Sequence, residues 1–205
     1  MCIRTLLMER LRMHVRSFVL AATLALLPGM AAAEVNSSLA GQTVVTPIPG
    51  GEQRKEYAPN GQLIYEVIEQ QSGSELKAIE REWSQDGKPL RDQEFVDGEQ
   101  MRATFWYMNG QVREKHVNQA LRDPKGPPGN YVEYFSDLGL PQSSGVMQGR
   151  FKRVGLHRFY DEHGKLKAEQ TYDASGTLVS EKKIGADGTA GQEQGFYPDG
   201  SRRLP

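Results

Sequence analysis

Tyr160-Asp-Glu-His-Gly164, Tyr172-Asp-Ala-Ser-Gly176, Ile184-Gly-Ala-Asp-Gly188 and Phe196-Tyr-Pro-Asp-Gly200 are four versions of one five-residue phrase. Their glycines stand at 164, 176, 188 and 200, always 12 apart. A fixed period of this kind marks a repeat architecture. An Asn, Asp, Ser or His followed by Gly is a strong hairpin signal, because Gly adopts positive φ at no steric cost. The dipeptides His163-Gly164, Ser175-Gly176, Asp187-Gly188 and Asp199-Gly200 therefore predict two-residue type I′ turns. About eight residues separate the turns, room for a strand and its connection. In the segment 165–172, Leu166, Ala168, Gln170 and Tyr172 share one face, and Lys165, Lys167, Glu169 and Thr171 the other. That alternation predicts a half-buried antiparallel strand.

The phrase recurs upstream as Tyr57-Ala-Pro-Asn-Gly61, Trp83-Ser-Gln-Asp-Gly87 and Trp106-Tyr-Met-Asn-Gly110. Tyr134-Phe-Ser-Asp-Leu-Gly139 reads as a distorted copy, and Ser72-Gly73 and Asp97-Gly98 mark intermediate turns. The fold class expected is all-β: an elongated, twisted meander of consecutive antiparallel hairpins, with a turn about every 12 residues and a full repeat about every 23–25. Strands are expected near Leu63–Ile68, Leu76–Trp83, Leu90–Phe95, Met101–Tyr107 and Val112–Val117.

The unit aromatic-x-x-Asn/Asp-Gly-x-Leu/Val, clearest in Tyr57 to Leu63 and Trp106 to Val112 and echoed in Tyr160 to Leu166, resembles MORN-type repeats in their bacterial variant form, as in YwqK-like antitoxin proteins. The resemblance covers roughly Glu52 to Pro205. It implies stacked β-hairpins that bind other proteins, sometimes lipids, and in the antitoxin branch neutralise a toxin.

Residues 1–33 read as a Sec-type signal peptide. A short basic start holds Arg16, Phe18–Leu27 is an apolar run of ten, Pro28-Gly29 breaks it, and Ala31 and Ala33 supply small residues before a cleavage point between Ala33 and Glu34. The run is short of the ~20 apolar residues that span a bilayer. Met1 and Met13 are both workable starts. Periplasmic or secreted location follows. Residues 1–33 contain four arginines and one glutamate, so from Glu34 onward 21 basic residues face 25 acidic ones, a net charge of −4. That charge disfavours nucleic acid and does not favour a membrane or envelope surface. The sole cysteine, Cys2, leaves with the signal.

The remaining organisation reads as an extended linker over 34–51, with Thr43–Thr46 able to pair as an edge strand, a first hairpin array over 52–117, a Pro/Gly-rich loop over 118–130 and a second array over 131–205. No catalytic residue, metal ligand or cofactor is expected. His116, His157 and His163 have no zinc-type spacing, and no nucleophile elbow, phosphate loop or calcium loop is present. Glu66, Glu114, Glu169 and Glu181 recur after turns, as a structural row would.

The repeat aromatics Tyr57, Trp83, Trp106, Tyr134, Tyr160, Tyr172 and Phe196 are expected on the buried face. Phe105, Tyr107, Phe135, Phe159 and Tyr197 stand directly beside them, and Tyr131 three residues from Tyr134. Strand parity puts these six on the opposite face as a candidate partner-binding stripe. The function expected is that of an exported, non-enzymatic protein-binding repeat protein, with toxin neutralisation as its specific form. The alternative is a structural envelope protein contacting lipid or cell-wall material.

Overall fold

Gly61 shows how each turn is built. Its N–H donates to the Ala58 carbonyl at 2.8 Å, and the Ala58 N–H donates to the Gln62 carbonyl at 2.8 Å. Gly61 has φ +79°. Asp97, at φ 51°, is the one non-glycine residue with positive φ among the described residues, so Asn60 stays on the ordinary side. The turn is thus type I followed by a left-handed glycine, the three-residue hairpin with a G1 bulge. The same two bonds recur around Gly87, Gly110, Gly139, Gly164, Gly176, Gly188 and Gly200. The type I′ geometry expected from the dipeptides holds only at Asp97-Gly98, where both residues have positive φ. The correction has a reason in the sequence. The phrase fixes three residues between aromatic and glycine, which a type I turn plus bulge needs and a two-residue turn does not.

The computed structural model describes residues 33–204; the signal peptide assigned to residues 1–33 lies outside them except for Ala33. Thirteen strands follow one another: β1 Thr43–Ile48, β2 Gly51–Tyr57, β3 Leu63–Ser72, β4 Glu75–Trp83, β5 Pro89–Val96, β6 Glu99–Trp106, β7 Val112–Asn118, β8 Asn130–Phe135, β9 Pro141–Gln148, β10 Lys152–Tyr160, β11 Leu166–Tyr172, β12 Leu178–Ile184 and β13 Ala190–Gly195. They form one antiparallel sheet in strict sequence order. This is the all-β hairpin meander that the repeats predict.

Two expectations about its ends and middle change. Residues 34–51 are not a linker: Thr43–Ile48 is the edge strand, paired from Thr43↔Glu56 to Ile48↔Gly51. Before it, Asn36 donates to the Gly61 carbonyl at 2.7 Å and Leu63 donates to the Glu34 carbonyl at 3.1 Å, so 33–42 lies across the first turn. The loop over 118–130 does not separate two sheets either. It holds a one-turn helix α1, Gln119–Arg122, capped by the Asn118 side chain, while β7 and β8 pair directly below it. Pairing across the loop base buries the backbone groups that a break would leave unpaired.

Cross-strand partners project on the same side, so the register fixes two faces. One carries a row that reads Lys55, Glu66, Arg81, Asp92, Thr104, Lys115, Glu133, Ser144, Arg158, Glu169, Lys182, Glu193 from β2 to β13. Every adjacent pair of charges in it is opposite in sign, and the two hydroxyl residues stand between an anion and a cation. A slip of one residue would send this row to the other side of the sheet and break every pairing.

The repeat aromatics Tyr57, Trp83, Trp106 and Tyr160 lie beside this ladder on the same face, by parity with Lys55, Arg81, Thr104 and Arg158. Trp83 is buried, whereas Tyr57, Trp106 and Tyr160 are half-buried. Only Val132 and Val154 are fully buried large side chains among the described residues, so cross-strand neighbours on each face supply the packing.

Candidate binding face

The face opposite the ladder holds an aromatic row. Glu56↔Tyr65 and Tyr65↔Glu82 start it; Arg91↔Phe105, Phe105↔Glu114, Glu114↔Tyr134, Tyr134↔Ser143 and Ser143↔Phe159 continue it. Tyr65, Phe105, Tyr134 and Phe159 therefore share one line across the sheet, each half-buried. Cations lie over three of these rings: Arg54 over Tyr65 at 5.8 Å, Arg113 over Phe105 at 5.7 Å and Arg153 over Phe159 at 5.5 Å. Such contacts orient a guanidinium; Arg54 and Arg113 are also paired, with Glu56 at 3.6 Å and Glu114 at 3.0 Å, whereas Arg153 has no ion pair among the described residues. Burial, with the Glu114 carboxylate adding to it, raises the Tyr134 phenol above its ordinary value, so it is a neutral donor near pH 7.

The six residues expected to form one stripe do not. Phe105 and Phe159 are in the row just described. Phe135 and Tyr131 lie on the ladder face, by parity with Glu133. Phe135 itself precedes the turn Ser136–Gly139, where Gly139 donates to Ser136 at 2.9 Å, so it is the repeat aromatic of its unit. Tyr134, taken for that position, is instead the row member. Tyr107 and Tyr197 are the first residues of turns, where strand alternation no longer applies. Tyr107 donates its hydroxyl to the Phe135 carbonyl at 2.8 Å, tying one turn to the next; Tyr197 is 50% exposed with Arg203 over its ring at 5.1 Å. Sequence reasoning missed Tyr65 and Tyr134. Counting parity backwards from Ser136, the first residue of its turn, would have found Tyr134.

Between β9 and β10 the sheet departs from its regular pattern. Val146 pairs with Val154 and Ser144 with Arg158, so Gly145 alone faces the three residues 155–157. His157 folds into the space left by the absent side chain of Gly145, and a Cβ there would collide with its ring. The ring is buried, its Nε2 is 2.9 Å from the Val146 carbonyl, and it meets Tyr172 edge-on at 5.3 Å. Burial lowers the His157 pKa, outweighing the backbone bonds that would raise it. Beside it opens a depression of about 410 Å³ lined by Tyr134, Ser143, Met147, Arg150, Phe151 and Arg153, among others. Among the described residues, no group of three His, Cys, Asp or Glu is arranged to hold a metal ion, and no helix is long and apolar enough to cross a membrane.

The MORN repeat variant family matches this chain at residues 53–68 and 153–174. The two stretches fall on β2–β3 and β10–β11, each a strand, a type I turn with its bulge and the returning strand. Repeats of this kind are generally protein- or membrane-binding modules. No curated protein matches the chain. Among solved structures, it is similar to a mutant of S. aureus TarM in complex with Fondaparinux, alpha-GlcNAc-glycerol and UDP, at 14% identity over 72% of this chain and 20% of that one, with a TM-score of 0.19. TarM in a second crystal structure gives 14% identity over 73% and 21%, again with a TM-score of 0.19. The chain spans about a fifth of the length of these proteins.

Proposed function

We propose that this chain is an exported, non-enzymatic repeat scaffold that binds another protein through the face opposite its charge ladder. The observation that carries the reading is the row Tyr65, Phe105, Tyr134 and Phe159. Four half-buried rings, three of them with a guanidinium above them, give rigid contact area and oriented donors on one surface, the composition favoured at interface anchors. The acids that recur after turns support a non-enzymatic role, because Glu66 and Glu169 stand in the ladder and Glu114 and Glu181 on the opposite face, spread along the sheet rather than paired across one cleft. A toxin is the partner class that the antitoxin resemblance implies, and the sequence of residues 1–33 supports export.

The test is a pull-down with tagged protein from gently cross-linked periplasmic extract, read by mass spectrometry. One stoichiometric protein partner is expected, with recovery reduced at least about tenfold by Tyr134→Ala with Phe159→Ala. Enrichment of lipid or wall material alone, or equal recovery by the double variant, would overturn the reading. Export is checked by mapping the N-terminus of the protein from the periplasmic fraction: it should begin at Glu34, and a cytosolic protein retaining Phe18–Leu27 would sink that part.

A further inference from the structure

The β9–β10 hairpin carries a charge unlike the rest of the chain. From Leu138 to Tyr160 there is no Asp or Glu, yet Arg150, Lys152, Arg153 and Arg158 are all present, in a protein whose net charge is −1. Arg158 is used by the ladder, bonded to Glu169 at 3.1 Å. Arg150 and Arg153 are exposed and have no ion-pair partner among the described residues. Arg153 lies over Phe159 at 5.5 Å and Tyr172 at 5.8 Å, so two rings hold its guanidinium in place while its charge stays open. Phe151, 87% exposed, stands between the two arginines in sequence and lines the same depression as they do. The three-residue bulge at 155–157 is what shapes this hollow, and bulges of that kind re-aim side chains beside sites.

We propose that this depression is a binding site for an acidic peptide segment of a partner protein, with a carboxylate received by Arg150 and Arg153 and an apolar side chain lying against Phe151 and Met147. Charge complementarity selects the occupant: two unneutralised guanidiniums, that of Arg153 held over two rings, match carboxylates in a bidentate fork. A narrow chain also suits the surroundings better than a flat anionic surface. The same face carries Glu56, Glu82 and Glu114 along the aromatic row, and a broad anionic layer would meet those charges as well. The proposal rests on the protein-binding reading above and names the chemistry of one part of that surface.

The experiment is fluorescence anisotropy of a fluorescein-labelled ten-residue peptide of alternating Glu and Phe, titrated with the purified full chain. Saturable binding is expected at 50 mM NaCl, weakened about tenfold at 300 mM. Arg150→Glu with Arg153→Glu should weaken it at least about tenfold, while Lys77→Glu, exposed on β4 five strands away, should change it less than about twofold. If the charge-reversed protein does not fold by circular dichroism, Arg150→Gln with Arg153→Gln takes its place. Absence of saturable binding, or equal loss on Lys77→Glu, overturns the site. Capture of phosphatidylglycerol vesicles without the peptide would replace the peptide by a lipid surface. Self-association by sedimentation, abolished by the double variant and without peptide binding, would replace it by a second copy. A protein partner still recovered in the pull-down, with the peptide unbound, would remove this site and leave the broader function standing.

Discussion

The strands from β2 to β6 and those from β7 to β10 are built from the same turn and the same pleat, yet they treat charge in opposite ways. Residues 51–106 hold twelve acids and seven bases, whereas 112–160 hold eight bases and four acids. In the first region the charges satisfy one another. Glu66, 7% exposed, bonds Arg81 at 2.8 Å and Gln53 at 2.7 Å and lies 3.6 Å from Lys55; on the other face Arg91 reaches Glu82 at 3.4 Å and Glu80 at 3.8 Å. In the second region the ladder thins. Lys115 leans over the Phe135 ring at 5.8 Å, Ser144 replaces a charge, and the arginines of β9–β10 point outward. The contrast teaches that one repeat geometry serves two ends: ion pairs closed on themselves make the sheet cohere, and charges left open make it a surface.

Four changes would break or sharpen that contrast, taken from the largest expected effect down. Gly145→Ala should destabilise the protein by about 3 kcal/mol in urea denaturation, because the new methyl displaces the buried His157 ring. Gly73→Ala, open within 4 Å but at φ +64°, should cost only about 1 kcal/mol. Equal losses would mean that His157 is not held by the irregular β9–β10 pairing. Next, Glu66→Ala should cost about 2–3 kcal/mol by leaving Lys55 and Arg81 without their shared carboxylate. Glu133→Ala, the corresponding rung of the second region, should cost under about 0.5 kcal/mol. A larger loss at Glu133 would erase the distinction between the regions.

A smaller effect is expected from joining adjacent turns less well. Asn60 donates to the Gln85 carbonyl at 3.0 Å and Asn109 to the Asp137 carbonyl at 2.7 Å. Asn60→Asp and Asn109→Asp keep the turn chemistry and remove that donor, so each should lower stability by about 0.5–1 kcal/mol with unchanged circular dichroism. Finally, pH distinguishes His157 from the ladder. Its folded pKa lies below the unfolded value of 6.5, so between those two pH values the unfolded chain binds more protons. Stability is therefore fully present above pH 6.5 and is lost as pH falls through the folded pKa. His157→Gln should flatten that slope in thermal melts taken between pH 7 and 5; an unaltered slope would place its origin elsewhere.

Much of this was legible in the residues. The period of 12 announced the meander, and strands β3 to β7 fell where alternation put them. Turn type was read wrongly because the dipeptide before each glycine was given more weight than the aromatic four residues ahead, whose spacing is what a type I turn with a bulge requires. That one error propagated. Each bulge resets strand parity, so Tyr107 and Tyr197 moved into turns and Phe135 moved to the ladder face. The edge strand expected at Thr43–Thr46 runs on to Ile48; Pro47 hid that extension, since a proline inside a strand is tolerated only where it sits on an edge. The depression beside His157 had no local signature beyond an acid-free run, because it arises from a mismatch between β9 and β10 that neither strand shows alone.

The ladder also constrains how such a sheet can lengthen or shorten. A unit of two strands returns the chain to the same edge with one cation and one anion facing their neighbours, as β2–β3 and β4–β5 do. Copying or deleting whole units leaves every contact between opposite charges and every aromatic on its own side. Inserting a single strand within a charged run would set like charges side by side and put the next turn on the wrong edge. A sheet of this kind is thus expected to change length in steps of one hairpin, with neutral rungs such as Thr104 and Ser144 as the places where odd-numbered joins do least harm.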